Sequence, residues 1–591
     1  MPSFFSELKR RNVLRAGVLY IGALWALAQG ISQLGPSFGA PDWFTRWFVI
    51  AGVIGFPFWL VFAWFYELTP EGLKRESEIA SSESMARSTG KKLDRWIIAV
   101  LTIAVVLLLA NTFVLDKPSN PGSTGTVGAA ASAKSIAVLP FVNMSGDPKQ
   151  DYFSDGVTEE ILDALSKASD LKVAARTSAF AFKGKAQDVR KIGEVLGVAT
   201  VLEGSVQTAG EDVRITAQLI DARSGFHLWS DHYDRKLTRV FAVEDEISAA
   251  IAGKLQAQLG GGSSASVGTG DAHAHELYLR GLTLLAARGP GLRDAADTFR
   301  QAVAIDPNYA QAWAALAQAE VLLHTWYYDS EGTAMHDADG AVRRALELDP
   351  NVANAHVALG IIHDERWEWA DAEREFRRAL ELAPNDAEAI EQYGQFLHAV
   401  GQLEAALPVI EHANLLDPLS GLIGGVHAQI LKDQHRCEAA KAQIERTLAV
   451  VPDSRYARGV AVRVALVCKQ YSEAEAQARR FAPLAGRDPD MYAALLRGVA
   501  EPTHREDALR LLRDIKLQGI EIVPWRLLLG DREGALGDLE TRFSGEPVGG
   551  VAQLWDPVLD PLRDDPRFKK LLAHIGVPYQ TQPAGLIDRI R

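Results

Sequence analysis

Two cysteines in 591 residues cannot build a disulfide framework, and Cys437 and Cys468 lack the paired spacing of a zinc site. In an oxidising compartment they could pair with each other; otherwise they are free thiols. The sequence also lacks a Ser-His-Asp motif, a zinc signature, a phosphate loop and a dinucleotide fingerprint. No catalytic residue, cofactor or metal ligand is therefore assigned, and the chain reads as non-enzymatic. Clustered positive charge is missing from the body as well. Residues 1–117 hold 12 basic and 9 acidic side chains, and the remainder holds 50 basic against 66 acidic, for a formal net charge of −13. Neutralising phosphates needs clustered Lys and Arg, so nucleic acid is excluded as a partner. What is present is ordinary for folded protein: 48% of residues are hydrophobic and 23% charged, which rules out a wholly disordered chain. At roughly 150 residues per domain the length implies about four units. A mean hydropathy of −0.03 is high for a soluble repeat protein and places part of the chain in lipid.

Three apolar runs supply that part, about Val13–Leu34, Trp47–Leu68 and Trp96–Leu115. Each has close to the ~20 residues that cross ~30 Å of hydrocarbon. Each is bordered by Trp or Tyr, which favour the interface. Lys9, Arg10, Arg11 and Arg15 precede or open the first run, and Lys74, Arg75, Arg87, Lys91, Lys92 and Arg95 lie between the second and third. Only Arg46 lies between the first and second. The positive-inside rule then puts the N-terminus and the second loop in the cytoplasm and exports everything after about residue 116. A cleaved signal peptide ending near Ala26-Leu27-Ala28 is the rival reading of the first run, and it leaves the final topology unchanged. No Asp, Glu, Lys or Arg sits at mid-span, which argues against a pump or ion pathway. Gly22, Ala26 and Gly30 form a row of small residues, as do Ala51 and Gly55. Such rows let helix backbones approach and offer self-association through the first span. Pro57 is expected to kink the second span.

The blocks FFSELKRRNVLRAGVLY and FYELTPEGLKR, between Phe4 and Arg75, resemble the amino-terminal membrane module of a family of Gram-negative repeat proteins. The resemblance implies an inner-membrane location and no chemistry.

Residues 117–134 are rich in Pro, Gly, Ser and Ala and read as a tether with a reach of about 20–25 Å. Beyond it the periodicity predicts strand 135–141, helix 151–169, strand 171–176 and helix 189–197. Three strands follow within 199–235, then a helix over about 241–259. The order β-α-β-α-β-β-β-α describes a small mixed-sheet domain. SIAVLPF, FSDGVTEEILDALS and LIDARSGFHLWSDHYDR occur in order and resemble the TolB amino-terminal and FlgO type of domain over 135–259. The resemblance implies a recognition domain that follows a membrane anchor and precedes helical repeats. Asn143–Asp147 reads as a turn capping a helix, with anion binding as the rival. His227, Asp231, His232 and Asp234 could suggest a metal cluster. Strand alternation puts His227 and Asp231 on one face and splits the set, so no metal is assigned. Arg214, Arg223 and Arg235 read as surface or paired residues.

A second linker, 260–274, leads to the strongest signal in the chain. Pro350, Pro384, Pro418 and Pro452 recur every 34 residues, and the interval from Pro307 to Pro350 is longer by an insertion near His324–Gly332. A period of 34 residues is that of tetratricopeptide repeats. His356, Leu359, Gly360, His363, Ala372, Phe376 and Ala379 occupy the consensus slots of one repeat, and Gly394, Ala406 and Ala413 recur in the next. The repeats cover 275–481. Residues 482–591 read as degenerate repeats and a C-terminal cap, which is required because the last repeat would otherwise expose its apolar face. The fold class is thus membrane α-helices, a small α/β domain and an all-α tetratricopeptide-repeat superhelix.

Such arrays bind proteins or peptides on the concave side, lined by the first helix of each pair. By consensus register that side includes Asn354, Val357, Ile361, Asp364, Glu388, Glu391, Gln395, His398, Gln429 and Lys432. The lining is largely acidic and amide, so a basic or neutral segment is the expected ligand and a carboxylate clamp is not. His356 and His363 read as core histidines, and Trp367 and Trp369 as packing residues. The expected function is a non-enzymatic inner-membrane protein presenting a recognition domain and a repeat scaffold in the periplasm. The alternative is an envelope sensor or signalling accessory. Related exported modules are fused to cytoplasmic nucleotide cyclases, but this chain's cytoplasmic stretches are too short for a domain, so its signal would pass through a separate membrane partner.

Overall fold

The computed structural model describes residues 20, 55–56, 66–69, 72–75 and 132–580, without 148–150, 169–170, 186, 210–211, 237–268, 270, 290, 327, 330–331 and 515–520. The chain divides into two compact units, Met1–Thr126 and Val127–Arg591.

In the first unit, strands β1 (Tyr66–Thr69) and β2 (Gly72–Arg75) form an antiparallel hairpin with Thr69 opposite Gly72. The second apolar run was expected to continue to Leu68, but its last three residues are strand. Pro70 follows the strand directly, and its ring disfavours the helical conformation in Thr69. The Tyr20 and Phe56 rings lie 5.7 Å apart, and a Cβ on Gly55 would sit 2.8 Å from the Tyr20 hydroxyl. The first and second runs therefore meet at one of the small residues singled out above. Gly22, Ala26, Gly30 and the greater part of all three runs lie outside the described residues. Among the described residues no helix is long and apolar enough to cross a membrane.

The second unit opens with a mixed sheet. Its strands are β3 (Ser132–Val138), β4 (Val142–Asn143), β5 (Lys172–Val173), β6 (Val198–Ala209), β7 (Asp212–Asp221) and β8 (His227–Lys236). The order is β5-β3-β6-β7-β8, with β4 beside β6. Pairs β3/β5 and β3/β6 are parallel, and β6/β7/β8 is an antiparallel meander. Helix α1 (Asp151–Ser166) lays Val157, Ile161, Leu162 and Leu165 on one sheet face, against Leu202, Ile215 and Leu219. The expected strand 171–176 is only two residues long, because Arg176–Phe180 turns into a short helix, α2. Helix α3 (Val189–Leu196) is capped by the Asp188 carboxylate and ends at left-handed Gly197. A bulge at Leu228 shifts the start of β8, so that His227 pairs with Ile220 while Asp231 pairs with Ala217. His227 and Asp231 consequently point to opposite faces, not to one as strict alternation predicted. The expected helix 241–259 lies outside the described residues.

Helix pairs follow: α4 (Ala272–Ala287) and α5 (Gly291–Ile305), α6 (Ala310–Thr325) and α7 (Ala334–Leu348), α8 (Ala353–Glu365) and α9 (Trp369–Leu382). Next come α10 (Ala387–Ala399) and α11 (Leu403–Leu416), α12 (Gly421–Asp433) and α13 (Cys437–Val450), α14 (Arg455–Val467) and α15 (Tyr471–Leu484). The less regular end holds α16 (Pro489–Ala500), α17 (Arg505–Asp514), α18 (Ile522–Leu528), α19 (Arg532–Phe543), two 3-10 turns and α20 (Pro566–Ile575). The period is written into the backbone. Asp386, Ser420 and Ser454 cap successive first helices. Trp367, Gly401, His435 and Lys469 take positive φ at the same point of four successive turns between paired helices. Only one of those four is glycine, so packing enforces the strained turn at the others. Within pairs, a Cβ on Gly360 would lie 2.8 Å from the Phe376 ring, so the glycine is what admits the aromatic. Cys437, first residue of α13, is bonded to Cys468, which caps α14, with Cα atoms 5.8 Å apart. Cys437 thus begins a second helix and Cys468 closes the next first helix, so the pairing open to them in sequence joins neighbouring helix pairs.

Candidate interaction groove

The inner side of the superhelix is built by α8, α10, α12 and α14. Of the residues assigned to it, only Asn354 is fully exposed. Val357 and Ile361 are buried in the common core. Glu388 stands at the mouth, accepting hydrogen bonds from Arg288 Nη2 at 2.7 Å and Gln318 Nε2 at 2.8 Å. Residues of the first and fourth helix pairs thereby touch across the mouth. Glu391 is 2% exposed and accepts from Gln395 and Gln392. Burial, with Glu388 adding to it and Arg288 opposing it, pushes the Glu391 carboxyl up to about 8. Gln429 accepts from Tyr456 Oη at 3.2 Å and Arg463 Nη2 at 3.0 Å. Asp364 is held well above the usual carboxylate range by burial and by neighbouring Glu365, which burial pushes up to about 7.

The deepest part is a chain of charges. His398 Nε2 lies 2.9 Å from Asp433 Oδ2, Lys432 Nζ is 2.8 Å from Asp433 Oδ1, and the same ammonium bonds Asp556. Burial works against the Lys432 ammonium, but Asp433 and Asp556 hold it above its ordinary value. Burial works against the Asp433 carboxylate too, and Lys432 and His398 hold it below the usual range. A buried charge is tolerable when so paired.

Asp556 comes from the C-terminal segment, and that segment closes the Lys432 end of the groove. Trp367 Nε1 donates to the Val548 carbonyl at 3.1 Å, Trp369 Nε1 to Ile575 at 2.9 Å and Trp555 Nε1 to Ala399 at 2.9 Å. Gln402 Nε2 donates to Tyr579 O at 2.9 Å. Val551, Leu554, Leu559, Leu562, Phe568, Leu571, Ile575 and Val577 are buried in the core of the repeats. The cap does more than cover the last repeat: it runs back along the ends of α8, α10 and α12. The acidic and amide strip is therefore a paired, largely buried interior, where an open surface for a basic peptide was expected. Asp433, Asp556, Arg288 and Arg463 complete this interior and were absent from the sequence-based set. Asp433 adjoins an assigned position and Arg463 follows Gln429 by one 34-residue period, whereas Asp556 and Arg288 arrive from segments whose proximity no local signal reveals.

The α/β domain closes the other side. Gly156 of α1 packs on Leu279 of α4, where a Cβ would overlap Leu279 Cδ1. Ser178 Oγ donates to Asp417 at 2.5 Å and accepts from the Leu419 amide at 2.9 Å. Ala175 N donates to Leu416 O at 2.8 Å, and Asn385 Nδ2 donates to Ala168 O at 2.6 Å. Despite the linker between them, the domain and the repeats are one body. Elsewhere, His232 and Asp234 share one sheet face, and Asp234 is paired with Arg214 at 2.6 Å. Among the described residues the trio close enough to share a metal is His363, Glu368 and Asp371, with His363 Nδ1 2.5 Å from Glu368.

Residues 375–407, from α9 into α11, match the tetratricopeptide-repeat family. Over 187 residues, 31% of this chain and 32% of the relative, the sequence is 46% identical to a Rhizobium meliloti (strain 1021) protein named "Putative adenylate cyclase 3". The chain thus matches about a third of that relative's length. A thermophilic repeat protein of Thermus thermophilus is similar at 17% identity over 33% of this chain and 98% of that one, with a TM-score of 0.28. The human IFIT1 dimer with m7Gppp-AAAA is similar at 14% identity over 52% of this chain and 81% of that one, with a TM-score of 0.35. The class of molecule follows from the family match and the helix pairs: a predominantly helical tetratricopeptide-repeat protein with a small sheet-containing region, the architecture of a protein-interaction scaffold.

Proposed function

We propose that this chain is a membrane-anchored, non-enzymatic scaffold that presents its α/β domain and repeats in an oxidising compartment outside the cytoplasm. The observation that carries the reading is the Cys437–Cys468 bond between neighbouring helix pairs of the repeats, which form a single body with the α/β domain. Disulfides persist in oxidising compartments, which agrees with the topology drawn from the basic residues. Because the chain's own C-terminal segment closes the Lys432 end of the groove, partners are taken on the remaining outer surfaces and at the Asn354–Glu388 mouth. In-cell thiol alkylation tests location: Cys437 and Cys468 stay unlabelled until reduction if the body is exported, and label at once if it is cytoplasmic. Cross-linking in the native membrane then tests scaffolding, with a partner lost in the Asn354→Ala/Glu388→Ala variant marking the mouth.

The second reading, a signalling accessory acting through a separate membrane partner, is favoured by the segment shared with a protein named as an adenylate cyclase. Cyclic AMP formation from ATP by the purified full chain would overturn the non-enzymatic part of both readings.

A further inference from the structure

The single break in the proline spacing marks a cavity. The insertion between α6 and α7 helps wall a pocket of about 510 Å³, lined by Arg293, Asp297, Arg300, Glu320, Asp329 and Asp337 among others. Its volume is that of small-ligand sites generally. Asp329 fixes the inserted loop by accepting from the Gly332 amide at 2.8 Å and the Ala334 amide at 3.1 Å, and Arg293 Nη2 donates to the Tyr328 carbonyl at 3.1 Å.

Glu320 is the unusual member. It is 1% exposed on α6, bonded to Arg300. At the same distance after the prolines of the four following repeats stand His363, Leu397, Leu431 and Ala465. A position that is Leu in two sister repeats, and that packs between paired helices, here carries a carboxylate. Packing does not ask for that, since a buried carboxylate costs stability even when paired. Violations of a local rule concentrate at functional sites.

The chemistry of the lining selects the ligand. Arg300 is shared among Glu320, Asp297 at 2.5 Å and Asp337 at 3.8 Å. Four carboxylates against two guanidiniums leave an excess of two negative charges when Glu320 is ionised. The pocket's acids do not form the tight cluster that a metal needs; among the described residues that cluster is His363, Glu368 and Asp371 in the next repeat. A roomy anionic pocket with dispersed carboxylates suits an organic cation on a flexible chain.

We propose that this pocket binds an alkylammonium or guanidinium group, with the Glu320 and Asp337 carboxylates as its counter-ions. The group comes from a free polyamine or from a Lys or Arg side chain of a protein partner. The site lies outside the groove and does not depend on the membrane reading. Glu320 also supplies a pH signature. Burial, with Asp337, Asp297 and Asp329 adding to it and Arg300 opposing it, pushes its carboxyl up to about 7. A bound cation needs the ionised form, so affinity falls as pH drops.

The test is calorimetry on the full chain in a nonionic detergent, with spermidine and with a blocked Lys/Arg pentapeptide as separate probes. One bound probe per chain is expected. Its Kd should rise about 10-fold or more in Glu320→Gln, as expected for loss of a charge-assisted bond, and several-fold in Asp337→Asn. Between pH 8 and pH 6 it should rise about 10-fold. Tighter spermidine names a free polyamine, and a tighter peptide names a basic protein segment. Should Glu320→Gln not fold, Asp337→Asn and Asp297→Asn decide. The proposal fails if neither probe binds, if binding is unchanged in the folded pocket variants, or if Asp507→Asn on distant α17 weakens it equally.

Discussion

The superhelix is flanked on two sides by segments held in different proportions of apolar and polar contact. The C-terminal segment is held by an apolar core, eight buried side chains from Val551 to Val577, threaded by one buried ion network around Lys432. The α/β domain is held by hydrogen bonds at consecutive repeat turns, Asn385 in one and Asp417 and Leu419 in the next, and by smaller apolar contacts: Gly156 on Leu279, Leu419 on the Ala174–Ile192 core and Ala175 on the repeat core. Burial of apolar area contributes about 25 cal/mol per Å², whereas a net hydrogen bond contributes about 1 kcal/mol. The difference teaches that the C-terminal segment is the more deeply integrated of the two, and the seam with the α/β domain is expected to open first.

The largest expected effect falls on the closed groove. Lys432→Met should cost about 3–5 kcal/mol, because it leaves Asp433 and Asp556 buried without their cation. Denaturant unfolding of the full chain measures it, and a loss below about 1 kcal/mol would show that the segment is not integral. Next in size is the link between neighbouring pairs. The disulfide closes a separation of 31 residues, so Cys437→Ala/Cys468→Ala should lose about 3–4 kcal/mol on the chain-entropy account. Its unfolding midpoint should match that of reduced wild type.

The seam should respond more weakly. Ser178→Ala or Asn385→Ala should each cost about 1 kcal/mol. Hydrogen exchange should show α2 and the Asp417–Ser420 turn opening earlier while Leu554 and α20 stay protected. Uniform loss of protection would break the distinction between the two closures.

The smallest effect is a pH dependence that wild type partly conceals. Burial raises Asp417 to about 6, against the Ser178 and Thr177 hydrogen bonds. The folded state therefore binds more protons than the unfolded one between about pH 4 and 6, and this contribution to stability is lost as pH rises through that window. Burial, aided by Lys172 across the seam, lowers His412 to about 4. Its contribution runs the other way: between about pH 4 and 6.5 the unfolded state binds more protons, and stability rises with pH. Asp417→Asn should steepen the rise of seam protection between about pH 4 and 6, and His412→Gln should reverse it. Equal slopes in both variants would remove these two groups from the seam.

Much of the architecture was legible because it is periodic or local. The 34-residue proline spacing and the Gly360–Phe376 contact belong to short-range register. The meander β6–β7–β8 follows from alternation and two turns. The state of the assigned groove residues was not legible: nothing near Glu391 announces that it is buried and bonded to Gln392 and Gln395. The Leu228 bulge displaced His227 by one residue, and a pattern of strict period two cannot show that.

Sequence alone determined the repeat class, the small mixed sheet, the uneven charge and the apolar amino-terminal runs, since each is a property of residue type at fixed spacing. Only the tertiary structure decided what the groove contains, what the α/β domain touches and where a cavity opens. Those depend on residues from Arg288 to Asp556 meeting across the curve of a superhelix, and no local pattern encodes that curvature.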